Sequence, residues 1–200
     1  AGLQQLPPGH CLELRTPHDQ AEPQPWWDLQ EQAAQAFSQQ SLLAANSEAD
    51  ILDQLERTLQ QVIAEQALAD VPLGTFLSGG VDSSLITALL QAHSNRPVRS
   101  FTIAFPDAGS GEAGFNEAPY AAAVAAHLGT DHTEVALTAA DARALIPQLP
   151  QLYSEPFADS SQLPTHLVCR EARRRGLTVA LSGDGGAELL GGYNRHRLAP

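Results

Sequence analysis

Four apolar runs constrain the fold of this chain more than any other feature: VPLGTFL (71–77), VRSFTIAF (98–105), HTEVAL (132–137) and LTVALS (177–182). Each is preceded or followed by an alanine-rich stretch of helical character. Strands that read as apolar on both faces and alternate with helices belong to a parallel sheet covered on two sides, so the expected class is α/β. In such sheets ligands bind beyond the carboxyl ends of the strands, where neighbouring crossovers diverge. Two glycine-rich corners fall at such ends. They are Ser78-Gly79-Gly80-Val81-Asp82-Ser83-Ser84 and Ser182-Gly183-Asp184-Gly185-Gly186.

The first corner joins a strand-like run to LITALLQ (85–91), which reads as a helix. Gly79 and Gly80 carry no side chain to block an approaching oxyanion, and Ser83 and Ser84 stand at the expected start of the helix. A helix N-terminus offers free N–H groups and a partial positive charge, so this corner can hold phosphate without lysine. Lysine is absent from all 200 residues, which excludes a Walker loop. Asp82 is then placed to hold Mg²⁺ against the phosphates. The plainer alternative is a tight strand-to-helix turn in which Asp82 and Ser83 cap the helix.

Charge and composition narrow the partners. The formal net charge is −12, from eleven arginines and 23 acidic residues, which argues against a nucleic-acid backbone or an anionic membrane surface. Cys11 and Cys169 have no CxxC or CxxH pairing, so neither a disulfide framework nor a structural zinc site is expected. No apolar run is long enough to span a bilayer and no signal-peptide core is visible, so the expected location is the cytoplasm. Met is absent, and the reading is therefore of a piece excised from a longer chain.

Residues 1–30 hold LPPGHCLEL, whose LEL suggests a short strand, and a proline-spaced run ending in PWWDL. Residues 31–48 are rich in Gln, Ala and Ser and suit a linker or a weakly anchored helix. From Ser47 and Asp50, which can cap a helix, Ile51, Leu52, Leu55, Leu59, Val62 and Ile63 keep to one face. Residues 49–200 form the α/β part. His166 and Cys169 can share a helix face but do not make a zinc site, and Arg173, Arg174 and Arg175 before Gly176 suit a helix end. Trp26 and Trp27 are expected to pack between domains rather than stack a base.

DVPLGTFLSGGVDSS, SFTIAF, HLGTDHTE, EPFADSS and ALSGDGGAELLGGYNRH occur in this order. Together they resemble the synthetase domain of glutamine-dependent asparagine synthetases, within the ATP pyrophosphatases. LPPGHCLEL and PWWDL resemble the end of the glutaminase domain that precedes it. The resemblance implies a Rossmann-like sheet of the PP-loop (adenine nucleotide alpha-hydrolase) type, incomplete at its C-terminus. It also implies ATP and Mg²⁺ as cofactors, with aspartate as the acceptor and ammonia from a glutaminase domain that this chain lacks. A homodimer is a further implication for the full-length protein.

In that chemistry the aspartate side chain attacks the α-phosphorus of ATP, pyrophosphate leaves, and ammonia displaces AMP. By position, Leu77 and Ile103 resemble contacts to adenine and ribose, and Ser182 and Gly183 contacts to the nucleotide. Ser78, Gly79, Gly80, Ser83 and Ser84 match the pyrophosphate loop, Asp82 a magnesium ligand, and Asp184 an acidic position linked to adenylation.

Two departures stand out, and two parts of the family pattern are expected to be absent. Where the family carries Asp-Glu and an aromatic before GGY, the aspartate being the second magnesium ligand, this chain has Ala187-Glu188-Leu189-Leu190. Ser154 stands where relatives tend to have an acid. Cys11 is not the glutaminase nucleophile, and the family's catalytic lysine falls beyond Pro200. A relative acting on another carboxylate, such as a β-lactam synthetase, and an impaired nucleotide-binding module are the alternatives.

Overall fold

The computed structural model describes residues 4–16, 18–39, 46–107, 116–156 and 158–193. Phe157, residues 40–45 of the glutamine-rich stretch, and the run from Asn194 to Pro200 lie outside the described residues. The chain divides into two compact units, Ala1–Glu56 and Arg57–Pro200.

In the first unit, β1 (His10–Cys11) pairs antiparallel with β2 (Gln24–Pro25). LEL is therefore not the strand. Just after it, the backbone N–H groups of Arg15 and Thr16 donate to the Asp19 carboxylate at 2.7 and 3.1 Å, which turns the chain. The N–H groups of Trp26 and Trp27 both donate to the Gly9 carbonyl, while the two indoles are exposed. Helix α1 (Leu29–Ser38) starts at Asp28, whose Oδ1 accepts from the N–H groups of Gln30 and Glu31, and it buries no residue.

Helix α2 (Glu48–Gln66) begins as expected: Asp50 accepts from the Ser47 N–H and hydroxyl, and Ser47 Oγ accepts from the Asp50 N–H. Its apolar stripe is only partly used. Ile63 is buried, whereas Ile51, Leu52, Leu55 and Val62 stay exposed.

The second unit is a four-stranded, wholly parallel sheet built from β3 (Leu73–Phe76), β4 (Arg99–Ala104), β5 (Asp131–Ala136) and β6 (Val179–Leu181), in the order β5-β4-β3-β6. β3, β4 and β6 lie within the runs that the apolar pattern marked, and β5 starts one residue before its run, at Asp131. The crossovers run through α3 (Val81–His93), α4 (Ala118–Leu128), α5 (Ala139–Leu145), a 3₁₀ turn (Ile146–Gln148), α6 (Leu149–Leu152) and α7 (Gln162–Arg174). A last short helix, α8, covers Gly186–Leu189. Arg173 and Arg174 do close α7, and Gly176 follows with φ +81°.

Helices cover both faces. On one side Phe101, Val168, Ala172 and Leu177 form a cluster with Phe76, Ile103, Val135 and Ala180, so α7 packs across the strands. Leu137, Leu145 and Leu167 continue it under α5. On the other side Ile63, Leu89, Leu90 and Val98 pack with Leu73 and Leu181, and Leu77 packs with Ala121 and Ala125 of α4.

This second face is not uniformly apolar, as the runs led one to expect. Thr75, Ser100 and Thr102 are buried there together with Thr87 of α3. Each of the first two has a partner: the Thr87 hydroxyl bridges to Thr75 Oγ1 at 3.2 Å and to the Ser83 carbonyl at 2.8 Å, while Ser100 Oγ meets Thr130 Oγ1 and His132 Nδ1, both at 2.8 Å. β-Branched threonine fills a strand position as valine does, and its hydroxyl is tolerated because it is bonded.

His132 carries a pH-dependent consequence. Its Nε2 is buried without a hydrogen-bond partner. Burial lowers its pKa from the usual 6.5, partly offset by the Glu134 carboxylate. The unfolded chain then takes up a proton at higher pH than the folded one, so the stability this imidazole contributes is complete above about pH 6.5 and falls as the pH drops below it. Urea midpoints of wild type and His132→Gln should diverge less at pH 5.5 than at pH 7.5. A constant difference across that range would contradict the assignment.

Candidate functional site

Parallel strands start from β3 and proceed outward to β4 and β5, and the chain then returns to place β6 on the other side of β3. The switch point lies between β3 and β6, and both glycine-rich corners emerge there, at the carboxyl ends of these two strands. Topology therefore brings together corners that are about a hundred residues apart in the chain.

The first corner is held by its serines. Ser83, the third residue of α3, is buried, and its hydroxyl accepts from the Ser78 N–H at 3.1 Å, lies 2.9 Å from Ser78 Oγ and donates to the Gly80 carbonyl at 3.3 Å. Ser78 Oγ also accepts from the Gly80 N–H. The loop is thus closed on itself by Ser78 and Ser83. Gly80 is the N-cap of α3 and supplies no side-chain cap, so the plain reading in which Asp82 and Ser83 cap the helix does not describe this turn. The first-turn N–H groups are left available for an acceptor from outside.

Gly79 serves another purpose than admitting an oxyanion. Its φ is +86°, and a Cβ there would lie 2.6 Å from the Ala121 nitrogen and 2.7 Å from Tyr120 Cβ. The residue must be glycine because the loop passes directly over the start of α4.

The second corner presses on the first. A Cβ at Gly183 would stand 2.6 Å from the Ser83 nitrogen and 2.8 Å from the Asp82 carbonyl carbon; one at Gly186 would stand 2.7 Å from Asp82 Cγ. These two glycines let the loop 182–186 lie against the start of α3. Asp184 folds back on its own loop, its Oδ2 accepting from Ser182 Oγ at 2.9 Å.

Between the corners and α7 lies a cleft of about 700 Å³. Its lining includes Leu77, Ser78, Gly80, Asp82, Ser83, Ile103, Ser182, Gly183 and Asp184, all singled out from sequence. Gly79 and Ser84 do not line it. The Ser84 hydroxyl is buried without a partner instead, since that residue follows Ser83 around the helix toward the protein. The sequence reading missed the apolar floor of Phe76, Phe101, Phe105 and Val168, and it missed Glu117 at the start of α4. Hydrophobic strand residues carry no signal that separates a cleft floor from a core.

Ala187 and Glu188 also line the cleft. Glu188, one residue further along α8, faces the same space, with Oε1 accepting from the Tyr193 hydroxyl at 3.1 Å. Among the described residues no three His, Cys, Asp or Glu side chains converge as a ready metal site. Among the described residues no arginine or histidine lines the cleft either, whereas Asp82, Glu117, Asp184 and Glu188 do. His166 and Cys169, both on α7, are absent from the lining; burial raises the Cys169 thiol pKa and lowers that of His166.

Residues 54–200 match the asparagine synthase family. The chain belongs to that family. It is 37% identical over 145 residues to a Mycobacterium tuberculosis protein whose name places it with glutamine-hydrolyzing asparagine synthetases, covering 72% of this chain and 21% of that one. Identity to the glutamine-hydrolyzing asparagine synthetase 1 of Bacillus subtilis is 35% over 129 residues, covering 64% of this chain and 19% of that protein. Asparagine synthetase B of Escherichia coli is 30% identical over 165 residues, with 74% and 28% covered. The chain thus spans from about a fifth to about a quarter of these family members. Among solved structures, an NH3-dependent NAD synthetase from Campylobacter jejuni superposes with a TM-score of 0.46 at 14% identity, over 71% of this chain and 60% of that one. No helix among the described residues is long and apolar enough to cross a membrane.

Proposed function

We propose that this chain forms the ATP-binding part of an enzyme that activates the side-chain carboxylate of aspartate as β-aspartyl-AMP, releasing pyrophosphate, before amination by glutamine-derived ammonia gives asparagine. The observation that carries the reading is the meeting of two glycine-rich corners at the switch point of the sheet, over a helix N-terminus without a side-chain cap. Membership of the asparagine synthase family and the names of its members favour aspartate as the acceptor.

In this proposal the triphosphate lies on the first turn of α3, where the N–H groups of Val81, Asp82 and Ser83 donate to its oxygens, and the adenine and ribose lie along Leu77 and Ile103. Ser78, Gly80, Ser182 and Gly183 shape the phosphate path, and Gly79 keeps the loop seated on α4. Catalysis of this kind rests on aligning the attacking carboxylate with the α-phosphorus and on neutralising phosphate charge. Asp184 is assigned to the adenylation step. Residues 1–30 are assigned to the end of a glutaminase domain, 31–48 to a linker and 49–200 to the synthetase domain. The cytoplasm is the proposed location, and a homodimer the proposed assembly of the full-length protein.

The donor set suits a hard divalent cation. Among the described residues, a triphosphate in this cleft would meet the carboxylates of Asp82, Glu117, Asp184 and Glu188 and no positively charged side chain. Oxygen ligands of this type favour Mg²⁺, which usually takes one or two carboxylates together with phosphate oxygens and water. Asp82 is the residue proposed to hold it, and the ion would neutralise phosphate charge as pyrophosphate departs.

Ala187 favours a second reading, a nucleotide-binding module of the same fold with impaired turnover, since alanine lines the cleft where the family pattern has a carboxylate. Calorimetric titration of ATP, with and without Mg²⁺, into the chain and into Ala187→Asp tests both. Heat that Mg²⁺ increases supports the site, and a large gain in Mg²⁺-dependent affinity in the aspartate form assigns the impairment to position 187. No heat from folded protein in either form contradicts the site.

A further inference from the structure

We propose that Glu188 replaces the carboxylate missing at position 187 and, with Asp82, holds the divalent cation that accompanies the triphosphate; this rests on the nucleotide site proposed above. Electrostatics favour such a cation here. Among the described residues the cleft offers a polyanion four acidic side chains and no basic one, and the N–H groups of one helix end carry only a fraction of a charge.

Position then selects Glu188. Gly186 seats the first turn of α8 against the carboxyl group of Asp82, because a Cβ at that position would be 2.7 Å from Asp82 Cγ and 2.8 Å from Oδ2. Two residues later Glu188 enters the same cleft. The intervening Ala187 has only a methyl, which lies against Gly192: a Cβ on that glycine would come within 3.0 Å of it. Asp184 folds back on its own loop, its Oδ2 accepting from the Ser182 hydroxyl, and is assigned to the adenylation step above.

Tyr193 supplies the outer support. Its hydroxyl donates to Glu188 Oε1, which orients the carboxylate. Outer partners of this kind typically govern metal affinity by about 10- to 100-fold. Glu188 is exposed on a short helix, so its replacement is not expected to disturb the fold.

Electron paramagnetic resonance of Mn²⁺, titrated into the chain with ATP present, reads the metal directly. Relative to wild type, Glu188→Gln should weaken Mn²⁺ retention in the ternary complex roughly tenfold or more, while metal-free ATP binding, relieved of one facing carboxylate, should not weaken. Tyr193→Phe should show a smaller loss. In the double variant Ala187→Asp/Glu188→Gln, retention should return toward the wild-type value. Retention unchanged in Glu188→Gln, while Asp82→Asn loses it, would overturn the role of Glu188 and leave the nucleotide site standing. Failure of folded wild-type chain to bind ATP under any condition would overturn both.

Discussion

Replacing Gly79 by alanine is expected to lower the stability of the chain by about 2–5 kcal/mol, the largest effect of any single methyl at the site. Two costs combine. The residue has φ +86°, which an L side chain reaches at about 1–2 kcal/mol. The added Cβ would also stand 2.6 Å from the Ala121 nitrogen and 2.8 Å from the Tyr120 carbonyl carbon, both backbone atoms of α4 that cannot rotate aside. Ala121 is fully buried beneath Leu77, so α4 cannot retreat without opening that cluster. Urea denaturation at neutral pH should show a midpoint well below wild type with the slope little changed. A midpoint within experimental error of wild type would show that the loop has another route past α4.

Gly183→Ala should act on binding more than on stability. Its Cβ would lie 2.6 Å from the Ser83 nitrogen, one of the helix-start groups proposed to receive phosphate. The loop must move outward, and the methyl would screen that N–H from any acceptor. Losing one hydrogen bond to a charged group amounts to about 1.5–3 kcal/mol, or roughly tenfold or more in affinity. ATP titration of the folded variant should therefore show affinity reduced by that factor, with stability lowered by about 1–3 kcal/mol. Undiminished ATP affinity would place the phosphates away from the contact between the two corners.

These two glycines also show how far the sequence could be read. The positions of the four parallel strands followed from apolar runs bounded by polar corners, to within one residue at the start of β5. The string from Ser78 to Ser84 identified a strand-to-helix corner because glycine and serine before an apolar helical run have few other uses. What glycine does at each position was not legible. Gly79 and Gly186 are fixed by what passes close to them, α4 in one case and Asp82 in the other, and those neighbours come from distant parts of the chain.

The same limit explains the other differences. The stripe on α2 states which residues a helix can bury, but not whether a surface exists to receive them, and only Ile63 of that stripe is fully buried. Thr75 and Ser100 lie inside runs that scored as apolar, because their burial depends on the hydroxyls and the imidazole that bond them across elements. Glu188 faces the cleft through the orientation of a four-residue helix, which helical spacing alone does not fix.

In the proposed enzyme a triphosphate lies where the two corners meet. Amide-resolved NMR of the ¹⁵N-labelled chain, recorded while Mg²⁺ and ATP are added, measures this residue by residue. The prediction is that the amides of Gly80 to Ser84 and of Gly183 to Gly186 shift together, ahead of all others, with those of α1 and β5 unmoved. Shifts confined to another surface, or none in these two loops at saturating ATP, would contradict it.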